Sequence, residues 1–211
     1  MNEQYPVQFS VEYPDRPLNR LTTLFRFFTV IPIAIVLGAL MNSGWGGGWG
    51  YDDQTTTYAL GGASFLFIAP LLMILFRKKY PRWWFDWNLE LLRFTNRVGI
   101  YVALMDDRYP STDEHQAVRL DYPYPNAETE LGRGMPLVKW FLAIPHYIVL
   151  FFLHIGAFFA VVFAWFAILF TGRYPRGLFD FVEGVYRWNN RVTAYAYLLV
   201  TDKYPPFQLA Q

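Results

Sequence analysis

Much of this chain is written twice, and a recurrence of that kind constrains the fold before any element is assigned, because each copy must be one structural unit. Tyr80-Pro81-Arg82, Phe85-Asp86, Arg93, Asn96-Arg97, Tyr101 and Leu104 return 94 positions later. The second set is Tyr174-Pro175-Arg176, Phe179-Asp180, Arg187, Asn190-Arg191, Tyr195 and Leu198. After one residue of drift, Asp107, Tyr109 and Pro110 return as Asp202, Tyr204 and Pro205. Upstream, Ile31-Pro32 matches Ile144-Pro145, and Glu12-Tyr13-Pro14 matches Asp121-Tyr122-Pro123. The matches divide the chain into two tandem units, 1–112 and 113–211.

The charge pattern sets the environment. No charged residue falls between Arg26 and Asp52, between Asp53 and Arg77, or between Lys139 and Arg173. Phe27 to Met41 and Tyr58 to Phe76 are each roughly long enough for a bilayer core of about 30 Å at 1.5 Å per helical residue. With 54% hydrophobic, 20% aromatic and 17% charged residues, the expectation is an integral membrane protein. Arg16, Arg20 and Arg26 precede the first apolar pair, and Arg77, Lys78, Lys79 and Arg82 follow it. The linker over 42–53 carries only Asp52 and Asp53, with Trp45, Trp49 and Tyr51 suited to headgroup level. Basic flanks favour the cytoplasmic side, so both termini are expected there in a multi-pass protein of the inner membrane. Met1 to Pro6 has no basic region or small-residue cleavage site, so no removable signal peptide is expected. A net charge of +1 gives no bulk attraction to nucleic acid, and the absence of cysteine removes disulfides, thiolate nucleophiles and cysteine-ligated metals.

Each unit reads as three elements. Alternation at Val7, Phe9 and Val11, and at Val118 and Leu120, predicts a short strand in each, and the two strands have reason to pair. A transmembrane helical hairpin follows, over 24–76 in the first unit and 137–171 in the second. In the second, Trp140 to Gly172 would make one helix about 50 Å long, so two short helices turning near His154-Ile155-Gly156 are expected instead. Last comes an amphipathic helix, over 82–105 and 177–199. Trp83, Trp84, Phe85, Trp87, Leu91 and Leu92 supply a broad apolar surface, while Asp86, Glu90, Arg93 and Arg97 form a narrow polar stripe. Such a helix beside a membrane hairpin is expected to lie in the cytoplasmic interface. The fold class is therefore mainly α, integral membrane, in two tandem repeats.

Arg93, Asn96 and Arg97, with Arg187, Asn190 and Arg191, are the first functional candidates. Paired arginines joined by an asparagine suit a phosphate or lipid headgroup, or a protein partner. The same residues suit internal ion pairs, with Asp86, Glu90, Asp180 and Glu183 as the acids, Glu90 to Arg93 and Glu183 to Arg187 in particular. Recurrence in both units fits a framework role at least as well as a site. His146 and His154 are the histidines inside apolar sequence and the candidates for haem. Eight residues apart, they miss a common helix face, and Ile33 and Met41 hold the matching positions of the first unit. Asp52-Asp53 and Asp113-Glu114-His115 are loose acidic clusters in polar loops. Gly46-Gly47-Gly48 follows no strand and is not a phosphate loop. No serine, histidine and acid arrangement stands out, and the apolar segments lack a chain of ionisable groups.

With these motifs assembled, the chain resembles a bacterial membrane family known as domain of unknown function 4389, over nearly its whole length in two tandem units. The second unit is the closer, through Ile144-Pro145-His146, Phe170-Thr171-Gly172-Arg173-Tyr174-Pro175 and Trp188-Asn189-Asn190-Arg191. The first lacks the histidine and the Thr-Gly. The resemblance implies a topology and no activity. The expectation is a non-catalytic accessory or scaffold subunit of a larger membrane complex, with other membrane subunits and phospholipids as partners and no cofactor. Anionic-lipid handling through the arginine stripes is the alternative, and a haem or quinone redox subunit the third.

Overall fold

The computed structural model describes residues 5–41, 68–112, 114 and 116–210. The linker expected over 42–53, residues 58–67 of the return segment, Asp113 and His115 lie outside the described residues.

Alternating apolar side chains build two short strands, β1 (Gln8–Val11) and β2 (Val118–Asp121). They pair antiparallel, with Phe9 opposite Leu120 and Ser10 opposite Arg119. Phe9, Val11, Val118 and Leu120 point inward, whereas Arg119 and Asp121 are exposed on the outer face of this ribbon. Asn19 caps α1 (Arg20–Leu24) by accepting from the Leu21 and Thr22 amides. A break at Phe25 leads into α2 (Arg26–Met41), and α3 is described over Ile68–Arg77, its last turn widened to a π-helix.

Proline sets the start of both amphipathic helices. Pro81 and Pro175 hold extended backbone (ψ 134° and 126°) and stand before α4 (Arg82–Val102) and, after α5 (Met135–Leu142) and α6 (Ile144–Thr171), before α7 (Arg176–Ala196). Both helices end into a buried leucine with left-handed backbone, Leu104 (φ 63°) and Leu199 (φ 59°). The one-residue drift therefore falls before Leu104, whose structural counterpart is Leu199 and not Leu198. Gly172 (φ 74°) ends α6 in the left-handed conformation that suits a glycine.

The elements stack in three layers. The ribbon lies on α4 and α7, with β2 against α4 and β1 against α7. On the far side of these two central helices lie α2, against α4, and α6, against α7. Ile33 packs with Phe94 and Val98, and Leu150 with Trp188 and Val192. The largest cluster joins the ribbon, α4, α6 and α7 through Phe9, Leu120, Ile100, Val185 and Ala164.

Two expectations are corrected. The chain does not turn near His154-Ile155-Gly156: α6 is continuous through them, and the break falls earlier, at Ala143 between α5 and α6. Gly156 costs a helix only about 0.5–1 kcal/mol and admits the Phe181 ring, and Ala157, Ala160 and Ala164 let α6 pack closely on a neighbour along its length. Nor do α4 and α7 turn the arginines and asparagines of their polar stripes to water, although Asp86, Glu90 and Asp180 are exposed. The two helices are the middle layer, with Asn96, Arg97, Asn190 and Arg191 buried. The stripe faces backbone carbonyls of the ribbon and loops, which accept its hydrogen bonds.

The protein is mostly helical, and one described helix, α6, is long and apolar enough to cross a membrane, while α2 and α3 are apolar but shorter. Only 22% of the most apolar stretch of α6 is buried.

Candidate functional site

At the centre, α4 crosses α7 where Asn96 meets Asn190. The two amides exchange hydrogen bonds, Asn96 Nδ2 to Asn190 Oδ1 at 2.9 Å and Asn190 Nδ2 to Asn96 Oδ1 at 2.8 Å. Each Nδ2 also donates to a carbonyl one turn back, of Leu92 and of Tyr186. Close approach here uses Gly99, where a Cβ would lie 2.8 Å from the Tyr186 hydroxyl.

The arginines flank this crossing. Arg93 Nε donates to the Leu120 carbonyl (2.9 Å) and Arg187 Nε to the Phe9 carbonyl (3.0 Å), so two arginines hold the outward carbonyls of one opposed pair in the ribbon. Arg93 pairs with Glu90 at 2.6 Å, and Arg187 with Glu183 at 2.5 Å. Glu183 Oε1 also accepts from the Val11 amide, at 3.2 Å. Arg187 reaches the Leu209 carbonyl, and Arg191 those of Gln208 and Ala210. Arg97 donates to the carbonyls of Ser111 and Thr112. Asp86 and Asp180 lie apart from this centre, in exposed pairs with Arg82 (3.9 Å) and Arg176 (3.2 Å). The arrangement can hold strands, loops and tail against two helices, because guanidinium forks match several acceptors at once.

Buried tyrosines surround the same core. Burial pushes the Tyr186 hydroxyl up to about 12 and holds those of Tyr80, Tyr122 and Tyr174 higher still. The Tyr13 hydroxyl donates to the Tyr174 carbonyl (2.6 Å), and that of Tyr124 to the Tyr80 carbonyl. By role the counterpart of Tyr13 is therefore Tyr124, not Tyr122. The Tyr-Pro-Tyr-Pro run over 122–125 offers two sequence registers, and strand pairing selects the second.

A pair of buried cations escaped the sequence reading. Arg26 stacks on Tyr101 (3.9 Å) and donates to the Asp106 carbonyl (2.9 Å). Lys139 lies over Tyr195 (5.1 Å), donates to the Thr201 carbonyl (2.7 Å) and pairs with Asp202 (2.7 Å). The signal was present: the spacing that carries Ile31-Pro32 onto Ile144-Pro145 also carries Arg26 onto Lys139.

The two histidines sit apart. His146 is buried, accepts from Trp188 Nε1 at Nδ1 (3.0 Å) and stacks on Phe207 (4.0 Å between ring centres). His154 Nδ1 lies 2.7 Å from the Leu150 carbonyl of its own helix. Neither is brought to the other or to the arginines. Among the described residues no three His, Asp or Glu side chains converge as metal ligands would.

Two recesses open elsewhere. An apolar groove of about 360 Å³ runs between α2 and α6, lined by Phe27, Val30, Phe158, Val162 and Trp165 with Arg26 at its side. A cleft of about 520 Å³ is lined by Lys78, Lys79, Arg82, Tyr124 and Glu128.

Residues 135–208 match the model of a protein family described as a domain of unknown function (DUF4389). The match starts at the first residue of α5 and ends in the tail, at the residue whose carbonyl Arg191 holds. No curated protein and no solved structure matches the chain.

Proposed function

We propose that this chain is a non-catalytic accessory or scaffold subunit of a larger inner-membrane complex, built from two tandem copies of one unit over 1–112 and 113–211. One observation carries the reading: the recurring arginines and asparagines at the crossing of α4 and α7 are engaged inside the protein, while the aromatic face of α6 is left bare. Arg93, Asn96, Arg97, Arg187, Asn190 and Arg191 all hydrogen-bond to backbone carbonyls or to each other. By contrast, seven phenylalanines of α6, from Phe151 to Phe170, are exposed. Each forgoes about 1.5–3 kcal/mol if it meets water, so lipid or a partner covers them. The repeat reading is supported by paired roles: Arg93 with Arg187, Tyr13 with Tyr124, Arg26 with Lys139.

Purification in mild detergent at native expression, with mass spectrometry of every co-migrating protein and lipid, tests the proposal. A stoichiometric membrane partner is the expected result. A lone chain carrying one enriched anionic lipid would overturn it in favour of lipid handling. That second reading has its own support in the apolar groove beside Arg26 and the cationic cleft at Lys78, Lys79 and Arg82.

A further inference from the structure

The direction in which the layers stack bears on how the chain meets a bilayer. Around α7, residues 181, 188 and 192 face α6, whereas 183 and 187 hold the ribbon. At 100° per residue these sets lie on roughly opposite sides of the helix. The ribbon's outer face carries Arg119 and Asp121, the latter with 78% of its side chain exposed. Polarity therefore changes across the helices, from a charged ribbon through α4 and α7 to the bare apolar faces of α2 and α6.

The depth of one ion pair sharpens this. α7 runs back along α6: Trp188 bonds His146, and Phe181 packs on Gly156, near the middle of α6. Asp180, next to Phe181, pairs with Arg176, and the two side chains are 55% and 67% exposed. If α6 crossed a bilayer, this exposed pair would lie in the hydrocarbon core, where charged groups are strongly disfavoured unless enclosed by protein or water.

We propose that α6 lies along the membrane plane, embedding the α2–α6 layer in a single leaflet of an anionic bilayer with the ribbon in water. This rests on the membrane reading above and replaces the crossing hairpin with an in-plane one. Helices of this kind sink their apolar face about 5–10 Å into the headgroup and acyl boundary. Arg20, Arg77, Lys79, Arg82 and Arg173 are exposed at the ends of the apolar helices, and Trp83 and Trp87 are exposed beside them. Cations there complement acidic headgroups, and tryptophan suits that level.

The test uses the chain's lack of cysteine. Phe152, Phe159, Phe163 and Phe170 are all exposed and, at spacings of 7, 4 and 7, form one line about 27 Å long on the bare face of α6. Each is replaced singly by cysteine, spin-labelled and reconstituted into vesicles containing phosphatidylglycerol. Depth is read from collisional relaxation by oxygen and by a water-soluble nickel complex. The expected result is one shallow depth at all four positions, together with labelling of Arg119→Cys and Gly177→Cys by an impermeant maleimide from the same side. A depth profile that runs from one headgroup region through the midplane to the other would overturn the proposal. Labels shielded from oxygen and nickel alike would also overturn it, by showing that protein covers the layer. If the chain fails to float with the vesicles, the membrane reading itself falls.

Discussion

Removing the amide at Asn96 should cost more than the two hydrogen bonds it makes, because it strands its partner. In Asn96→Ala both bonds to Asn190 vanish. Asn190 Nδ2 keeps the Tyr186 carbonyl at 2.9 Å, but Oδ1 is left with only the Tyr122 hydroxyl at 3.5 Å. Two net bonds at about 1 kcal/mol each, plus about 1–2 kcal/mol for a buried, nearly orphaned acceptor, give a loss of about 3–4 kcal/mol. Asn190→Ala should lose about the same. The double variant Asn96→Ala/Asn190→Ala strands only the Tyr122 hydroxyl, whose bond to Asn190 is long, and should lose only slightly more than either single, leaving a coupling of about 2–3 kcal/mol. Reversible unfolding of the four proteins in one detergent, followed by circular dichroism, measures the cycle. Additive losses would refute the reasoning and show that the crossing is held by apolar contact alone.

Burial makes the fold sensitive to alkali. Tyr186 titrates near 12 in the folded state against 10.0 when free, and Tyr80, Tyr122 and Tyr174 are raised further. A raised tyrosine contributes stability that is whole below pH 10 and lost as pH climbs through the folded value. Thermal midpoints should therefore fall steeply above pH 10, with tyrosinate absorbance for these groups appearing only on unfolding; an ordinary titration of the folded protein would contradict this. Gly184→Ala places a methyl group 2.8 Å from Leu209 Cβ and 3.3 Å from its carbonyl, and should cost about 1–3 kcal/mol while making the tail easier to cleave by carboxypeptidase. Gly38→Ala in α2 meets nothing within 4 Å and should stabilise the helix by about 0.5–1 kcal/mol in the same assay. Lys139→Met leaves Asp202 without its cation and should lose about 2–4 kcal/mol, below the range for a fully enclosed pair because Asp202 is partly exposed; Lys139→Met/Asp202→Leu should recover part of it.

Local signals were legible where local chemistry decides. The alternation at Phe9 and Val11, the prolines before Arg82 and Arg176, and the i, i+3 and i, i+4 spacings of Glu90 to Arg93 and Glu183 to Arg187 each describe neighbours along the chain. What surrounds α4 and α7 was not legible, because a stripe of arginines reads the same whether it faces water or carbonyls. The carbonyls that hold Arg93, Arg97, Arg187 and Arg191 belong to segments chosen by the tertiary fold, and a carbonyl leaves no mark in a sequence. The break at Ala143 rather than Gly156 is local too: Pro145, in the first turn of α6, lacks the N–H that would continue the ladder from α5. A glycine in an apolar run reads as a turn, but Gly156 admits the Phe181 ring at close range.

The exchange of arms between the two ends of the chain sets a timetable for its synthesis. β1 and the residues around it find their ligands late: Phe9 waits for Arg187, Tyr13 for Tyr174, and Leu18 for the Gly172 carbonyl. A ribosome adding about 5–20 residues per second takes roughly 9 to 36 seconds to cover the 178 positions between Phe9 and Arg187. For more than half of that interval, until β2 emerges, the strand has no pairing partner, and Arg187 and α7 come only near its end; meanwhile its open edge is a template for another nascent chain. Crowded polysomes are therefore where this protein is most exposed to mispairing, and early capture of the nascent amino terminus by a chaperone or by the membrane would protect it.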